Sequence, residues 1–326
     1  MILATSHMFL RASTAVLAML VLTGCAIADA PRSPFDAGRA YADLEAIVAI
    51  GPRFPGSEGS AATADYLERE LAAAGLTLDR YGFTAYTPLG RRPMTNLSAT
   101  CQGTRPGTII LSGHYDTKYL PYIEFVGAND AGSSTAFLLE MARTLGPTRE
   151  GYSVQFVWFD GEEAIEEWSD MDSLYGSREM VRRLNEERRL NDICALINVD
   201  MIGDCHLNIL RDPGAPAWLR DAIWDTAAEL GKRNAFTRKE RGMDDDHIPF
   251  RQAAVPAINL IDFEYGANRL EHDQNWHTER DTLDRVCAGS LQTVADVLYH
   301  ALPKIEAHLM NADAGADASA EARDAG

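Results

Sequence analysis

Short apolar runs alternate along the chain with longer segments whose apolar residues have helical spacing. The run 154–159 (Val-Gln-Phe-Val-Trp-Phe) is too short for a typical helix and lacks that spacing, so it predicts a strand buried on both faces. Further buried strands are predicted at 108–112, 195–199 and 255–261, and less regular ones near 76–84 and 96–101.

The segments between these strands are typical of helices packed on a sheet. Helices are predicted at 37–50, 60–74, 134–145, 178–188, 215–230 and 282–302, with an acidic loop at 243–250. Because strands and helices alternate, we expect a mostly parallel sheet covered on both faces. The prediction is an α/β fold: one domain over residues 37–309, a three-layer α/β/α sandwich around a mostly parallel, mixed central sheet. Residues 310–326 are rich in Ala, Asp, Gly and Glu, and predict a disordered tail.

The N-terminus has the features of an export signal. Arg11 precedes an apolar stretch, 15–22, that is too short to span a bilayer. Leu22-Thr23-Gly24-Cys25 resembles a bacterial lipobox, in which the cysteine is lipidated. We therefore expect residues 1–25 to be a lipoprotein signal peptide, and Cys25 to anchor a periplasmic or cell-surface domain through the linker 26–36. Cleavage at Ala28-Asp29-Ala30 is the alternative, and would release a soluble exported protein.

Charge and cysteine usage narrow the partners and the compartment. The net charge of −18 argues against nucleic acid or an anionic membrane surface as a partner, which leaves the lipid anchor as the expected membrane contact. Four other cysteines, Cys101, Cys194, Cys205 and Cys287, have no zinc-site spacing. They allow three pairings, and we expect either small buried hydrophobes or one structural disulfide.

Carboxylates crowd the end of the strand at 154–159. Asp160, Glu162 and Glu163 follow it within four positions. Ligands bind at the carboxyl ends of strands in open α/β sheets. Carboxylates confined together repel one another unless they are protonated, hydrogen-bonded or holding a cation. The alternative is a solvated acidic turn.

Five potential metal ligands follow predicted strands: His114, Asp130, Glu163, Asp200 and His277. Imidazoles and carboxylates are the ligands that a catalytic zinc site uses, with a position left open for substrate. A single such residue on a loop is usually a solvated polar group. Five at the ends of one sheet predict a metal site.

The motifs that carry these residues resemble a known family. His114-Tyr115-Asp116, Asn129-Asp130, Asp160-Gly161-Glu162-Glu163, Val199-Asp200 and His277-Thr278 are similar, in order, to the M28-type zinc exopeptidases, which include bacterial aminopeptidases. The resemblance covers roughly residues 37 to 305. In the aminopeptidase branch it implies two zinc ions on the five ligands, with Glu162 as the base.

A narrower resemblance points to another branch. Trp168, the run 172–178 (Asp-Ser-Leu-Tyr-Gly-Ser-Arg), the run 245–250 (Asp-Asp-His-Ile-Pro-Phe) and Trp276-His277-Thr278 are similar to the glutaminyl-peptide cyclotransferases. That branch cyclises N-terminal glutamine of peptides and proteins, and releases ammonia. An aminopeptidase with two zinc ions is the alternative. An inactive binding protein is a third, against which the intact ligand set counts.

The cyclotransferase resemblance implies a role for each candidate residue. One zinc ion would be held by Asp130, Glu163 and His277, while His114 and Asp200 would support these ligands or hold a second ion. Glu162 would be the general base and acid, and Asp245 and Asp200 would form a hydrogen-bond network around it. Without the resemblance, the acids at 244–246 could equally be a solvated charge run. Trp168, Phe263 and Trp276 would shape a dry substrate pocket, with core aromatics as the alternative for the two tryptophans.

Overall fold

The structure, a computed structural model, describes residues 31–266 and 275–324. The predicted signal peptide, Cys25 and the alternative cleavage site lie outside these residues. The described residues form one compact unit. Within the described part of the chain, every helix is too short or too polar to cross a membrane.

The central sheet is mixed and mostly parallel. β1 (Asp79–Thr87) pairs antiparallel with the start of β2 (Gly90–His114). The end of β2 pairs in parallel with β3 (Thr148–Phe159) and with β4 (Ile193–Asp200), and β4 pairs in parallel with β7 (Ala257–Ile261). This agrees with the predicted sheet.

The element β2 contains both of the strands predicted at 96–101 and 108–112. Residues 108–114 pair with 153–159 of β3 in the parallel sense, whereas the register of residues 97–101 with β3 runs in the reverse order. The chain therefore turns between the two parts of β2, and β3 lies between them. Gly107, with φ of +100°, sits at this turn, where a left-handed backbone favours glycine.

Helices cover both faces of the sheet. Ile109 and Leu111 of β2 belong to the large apolar cluster that includes Phe137 and Leu291, whereas Ile110 packs in the cluster on the opposite face. This alternation follows from the two-residue period of a strand. The helices are α1 (Ala37–Ile50), α2 (Glu58–Ala73), α3 (Ser134–Leu145), α4 (Tyr175–Glu186), α5 (Ala217–Glu229), α6 (His247–Gln252) and α7 (Ala288–Asp324). The predicted three-layer α/β/α fold is confirmed.

Some elements differ from the predictions. The predicted acidic loop at 243–250 contains the start of α6, whose Pro249 lies in the first turn of the helix, where a missing N–H costs nothing. The last helix was expected from residue 282, but a short 3₁₀ turn at Leu283–Arg285 precedes it. It then continues to Asp324 through the segment predicted to be disordered, because an alanine-rich sequence has high helix propensity. A short parallel pair, β5 (Ile209–Arg211) and β6 (Phe236–Glu240), had too little pattern to predict.

One disulfide, between Cys205 and Cys287, joins the loop after β4 to the segment before α7. Their Cα atoms are 4.8 Å apart, and the Cys287 N–H donates to the carbonyl of Gly203 at 2.9 Å. This is the single structural bridge that the cysteine count allowed. Cys101 is buried elsewhere and its thiol contacts the carbonyl of Leu145 at 3.6 Å, as expected of a small core side chain.

Candidate active site

A cavity of about 540 Å³ opens at the carboxyl ends of the parallel strands. It contains all the predicted site residues except His114, which is buried and contacts the cavity residues Asp130 and Asp200. The predicted residues that line the cavity are Asp130, Glu162, Glu163, Trp168, Asp200, Asp245, Phe263, Trp276 and His277.

Three of these side chains form a compact potential metal site. Asp130, Glu163 and His277 each offer one ligand atom, and these atoms lie within 4.8 Å of one another. His277 Nε2 is 2.7 Å from Glu163 Oε1 and 3.3 Å from Asp130 Oδ2. The set of two carboxylates and one imidazole fits a zinc ion with a position open to the cavity.

A second group of three shares Asp130 with the first. His114, Asp130 and Asp200 also bring their ligand atoms within 4.8 Å. His114 Nε2 lies 3.2 Å from Asp130 Oδ1 and 3.2 Å from Asp200 Oδ1. The geometry therefore brings together both ligand groups that the sequence suggested.

The electrostatics of the cluster favour a bound cation. Asp130 Oδ2 makes no hydrogen bond to the described residues, although Asp130 is almost fully buried. Burial opposes protonation of His277, but Glu163 and Asp130 raise its pKa to about 10. Burial would raise the pKa of Asp130, but contacts with His114 and His277 lower it below its usual range. Buried carboxylates thus exceed the histidine charges available to neutralise them, and a divalent cation would supply the difference.

The turn after β3 separates its three carboxylates. Asp160 is not among the residues that line the cavity, and its Oδ2 instead accepts the N–H of Thr95 at 2.7 Å. Glu162 and Glu163 do line the cavity. The carboxylate of Asp116 accepts their two main-chain N–H groups, at 3.2 and 3.3 Å, and so holds the turn in place.

Glu162 and Asp245 are buried cavity carboxylates that belong to neither ligand group. Burial, together with the charges of Glu163 and Asp245, raises the pKa of Glu162 well above its usual range. Asp245 is oriented by Asn259, whose Nδ2 donates to Asp245 Oδ2 at 2.7 Å. Burial and the neighbouring Asp200 also raise the pKa of Asp245. A buried carboxyl group whose protonated form is favoured in this way suits acid–base chemistry.

Aromatic rings form one wall of the cavity. Trp276 stacks on the imidazole of His277, with ring centres 3.9 Å apart, and Phe263 meets Trp276 edge-on at 5.1 Å. Trp168 is 45% exposed at the cavity wall, which is inconsistent with a core aromatic.

Two functional positions were not identified from the sequence. The buried carboxylate of Asp281 accepts the main-chain N–H groups of Asn129 at 2.7 Å and Asp130 at 3.0 Å, and the hydroxyl of Tyr265 at 2.7 Å. Lys118 lines the cavity, with Nζ 3.9 Å from Glu163 Oε2. Asp281 does not follow a predicted strand directly, so there was no reason in the sequence to select it. Lys118 stands four positions after His114, close to the same strand end.

Comparisons with known proteins place this site in a family. The model of peptidase family M28 matches residues 96–302. The glutaminyl-peptide cyclotransferase of Bos taurus is 31% identical over 284 residues, which cover 75% of this chain and 77% of that protein. A glutaminyl cyclase structure from an Acidobacteriales bacterium is 36% identical, with a TM-score of 0.80 over 85% of this chain and 97% of that one. A Porphyromonas gingivalis glutaminyl cyclase is 29% identical, with a TM-score of 0.74 over 83% and 98%. The chain therefore belongs to peptidase family M28, in its glutaminyl-peptide cyclotransferase branch.

Proposed function

We propose that this chain cyclises N-terminal glutaminyl residues of peptides and proteins to pyroglutamate, with release of ammonia and with one zinc ion. The observation that carries the proposal is the position of Glu162, a buried carboxylate outside both ligand groups that shares one cavity with Asp130, Glu163 and His277. The family relationship supports the same reaction.

Zinc would be held by Asp130, Glu163 and His277. Bound there, it would polarise the γ-carbonyl of the substrate glutamine and stabilise the negative charge that develops on its oxygen. Asp281 fixes the main chain of Asp130, and the stacked ring of Trp276 restricts the imidazole of His277. These contacts would hold the ligands in the geometry that zinc requires.

Glu162 would move the protons. The α-amine nitrogen attacks the carbonyl carbon of the side-chain carboxamide of the same residue, and the new C–N bond closes the five-membered ring. The Glu162 carboxylate accepts a proton from that nitrogen and returns it to the γ-nitrogen, whose bond to carbon then breaks and releases ammonia. The charge of Asp245, held by Asn259, favours the protonated form of Glu162 between these two transfers, and Asp200 acts on Asp245 in the same sense.

The aromatic wall would keep water from the reacting carbon. Trp168, Phe263 and Trp276 would fold the glutamine side chain back on its own amine, and an attack within one residue supplies much of the rate. Exclusion of water prevents hydrolysis of the γ-amide to glutamate.

An aminopeptidase with two zinc ions is the second candidate, because the His114, Asp130 and Asp200 group has the geometry to hold another ion. The product from a peptide such as Gln-Gly-Gly-Gly separates the two reactions. Ammonia and a pyroglutamyl peptide identify the cyclase, whereas free glutamine identifies the aminopeptidase. Elemental analysis of the purified protein should find one zinc per chain, and two fully occupied ions with free glutamine would refute the cyclase proposal.

A further inference from the structure

Two surface segments, residues 119–124 and 165–171, border the cavity and are together called the rim. The first leaves the cavity at Lys118, whose Nζ donates to the carbonyl of Ala164. It returns at Phe125, whose ring meets the imidazole of His277 edge-on at 5.8 Å. One end of this segment thus adjoins a cavity residue and the other contacts one, which ties the segment to the cavity.

The second rim segment is held in one shape by a buried carboxylate. Asp172 accepts the main-chain N–H groups of Ile165, Glu166 and Glu167 at 2.8 to 3.1 Å, and the hydroxyl of Tyr175 at 2.7 Å. This network leaves the segment's side chains to project from a fixed backbone. A preorganised loop loses less conformational entropy on binding than a loop that must first be ordered.

The rim presents large apolar side chains to solvent. Tyr122 is 97% exposed, Met171 is 76% exposed, and Trp168 is 45% exposed where it joins the cavity wall. Exposed apolar side chains that continue from a ligand cavity are typical of a binding surface.

The charges of the rim have one sign. Its charged residues are Glu124, Glu166, Glu167 and Asp170, all exposed, and neither segment contains Lys or Arg. Two arginines contact the rim from outside it, Arg178 at the carbonyl of Asp170 and Arg92 over the ring of Tyr119, so the carboxylates outnumber the nearby cations. On the opposite side of the mouth, exposed Asp244 also lines the cavity. An acidic surface of this kind attracts cationic ligands and repels anionic ones, including anionic lipid headgroups.

We propose that the rim binds the residues that follow the N-terminal glutamine, and selects peptides with an apolar or aromatic second residue followed by basic residues. This inference rests on the proposed function. The cavity receives the first residue, and we place the residues that follow it along Trp168, the exposed aromatic side chain of the cavity wall. The second side chain then lies against Trp168, Met171 and Tyr122, and later basic residues meet the acidic side chains.

Kinetics with four matched peptides test this surface: Gln-Phe-Lys-Lys, Gln-Gly-Lys-Lys, Gln-Phe-Glu-Glu and Gln-Gly-Gly-Gly, all amidated. Ammonia release gives kcat/KM for each. We expect kcat/KM to be roughly tenfold higher for Gln-Phe-Lys-Lys than for Gln-Gly-Lys-Lys, because the second peptide lacks an apolar side chain to bury on the rim. We expect kcat/KM to be higher for Gln-Phe-Lys-Lys than for Gln-Phe-Glu-Glu in low salt, and this difference to disappear in high salt.

Variants of rim residues then assign the preference to the surface. Met171→Ser and Tyr122→Ser should each lower the Phe/Gly ratio at least threefold and leave Gln-Gly-Gly-Gly turnover unchanged. Glu166→Gln combined with Glu167→Gln should reduce the Lys/Glu ratio. Tyr86→Ser is the matched control, because Tyr86 is as exposed as Met171, at 76%, but lies in neither rim segment. It should change neither ratio.

Two results would overturn the rim proposal. The first is that the enzyme turns over Gln-Gly-Gly-Gly but its Phe/Gly and Lys/Glu ratios are near one. The same conclusion follows if both ratios depart from one and the rim variants leave them unchanged. The second is that a protein lacking residues 1–25 binds vesicles of zwitterionic lipid, and that Met171→Ser abolishes this binding. That result would show that the rim binds a membrane. Failure of every peptide to release ammonia would instead refute the proposed function, and the rim proposal with it.

Discussion

The carboxylate of Asp281 accepts a hydrogen bond from the main-chain N–H of Asp130 at 3.0 Å, across 151 positions of the chain. Asp130 is the residue that both potential metal groups share, and Asp281 follows His277 by four positions. One buried carboxylate thus connects the loops that carry two of the proposed zinc ligands.

We expect Asp281→Asn to weaken zinc binding. The asparagine NH₂ group would face main-chain N–H donors in place of an acceptor, so Asp130 would lose its fixed position. Loss of such a supporting contact typically costs roughly 10- to 100-fold in metal affinity. Zinc competition with a chelator measures this loss, and excess zinc should restore kcat. Tyr265→Phe is the control, since it removes one bond to Asp281 and should weaken zinc binding less. If the variant binds zinc normally but has a lower Tm, Asp281 stabilises the fold and does not support the metal site.

Glu162 and Glu163 should fail in different ways when each is replaced by glutamine. Glu162→Gln keeps the shape of the side chain but cannot carry protons, so zinc content should persist while kcat falls roughly 10²–10⁴-fold. Glu163→Gln places a weak neutral ligand at the metal, so zinc and stability should both be lost. Added zinc should rescue the Glu163 variant in part. Rescue of the Glu162 variant instead would reverse the two assignments.

Trp276→Ala should lower turnover of glutaminyl peptides. The substitution removes the ring stacked 3.9 Å from His277 and opens the aromatic wall of the cavity. Zinc should remain bound, because Trp276 supplies no ligand atom to the described metal groups. Kinetics and metal analysis on one preparation measure both effects. Unchanged kinetics with a lower Tm would show that Trp276 serves only packing.

His247 should make the fold less stable in acid. Burial, with the nearby charge of Arg251, lowers the pKa of His247 to about 3, against 6.5 for an ordinary histidine. The unfolded chain therefore binds a proton that the folded chain excludes. The contribution to stability is complete above about pH 6.5 and is lost as the pH falls towards 3.

Urea unfolding at pH 7.5 and pH 4.5 checks this titration. The free energy of unfolding should fall more between these pH values in the wild type than in His247→Gln. Acid release of zinc affects both proteins, so the difference between them isolates the histidine. An equal fall in the two proteins would contradict the assignment.

The candidate metal ligands could be proposed from the sequence, but a residue that supports them could not. Asp130, Glu163, Asp200 and His277 were proposed because ligand-binding side chains of a parallel sheet gather where strands end. Asp160 stands beside Glu162 and Glu163 in the sequence but does not line the cavity, because its carboxylate accepts the main-chain N–H of Thr95. Asp281 was missed because its partners, Asn129 and Asp130, are distant in sequence and no local pattern marks a carboxylate that accepts main-chain hydrogen bonds.

Export is a separate proposal that rests on Arg11 and the apolar stretch 15–22, and lipid anchoring rests on Leu22-Thr23-Gly24-Cys25. We expect Cys25 to be lipidated because it ends this lipobox-like motif, and two or more acyl chains would give stable anchoring where one chain is marginal. Cys25→Ala should move the protein from the membrane fraction to the soluble fraction, as measured by fractionation and by mass spectrometry of the mature N-terminus. A wild-type protein that is already soluble and begins after Ala28 or Ala30 would refute the anchor.

The disulfide between Cys205 and Cys287 makes assembly of the catalytic centre depend on where the chain folds. It closes a loop of 82 positions, a constraint worth roughly 4.5 kcal/mol in the chain-entropy model. Cys205 follows Asp200 by five positions, and Cys287 follows Asp281 by six. The disulfide therefore links the loop after Asp200 to the segment after Asp281, both of which adjoin the proposed metal ligands. A chain made in a reducing cytosol would lack this link. Zinc loading and full activity would then come only after delivery to an oxidising compartment.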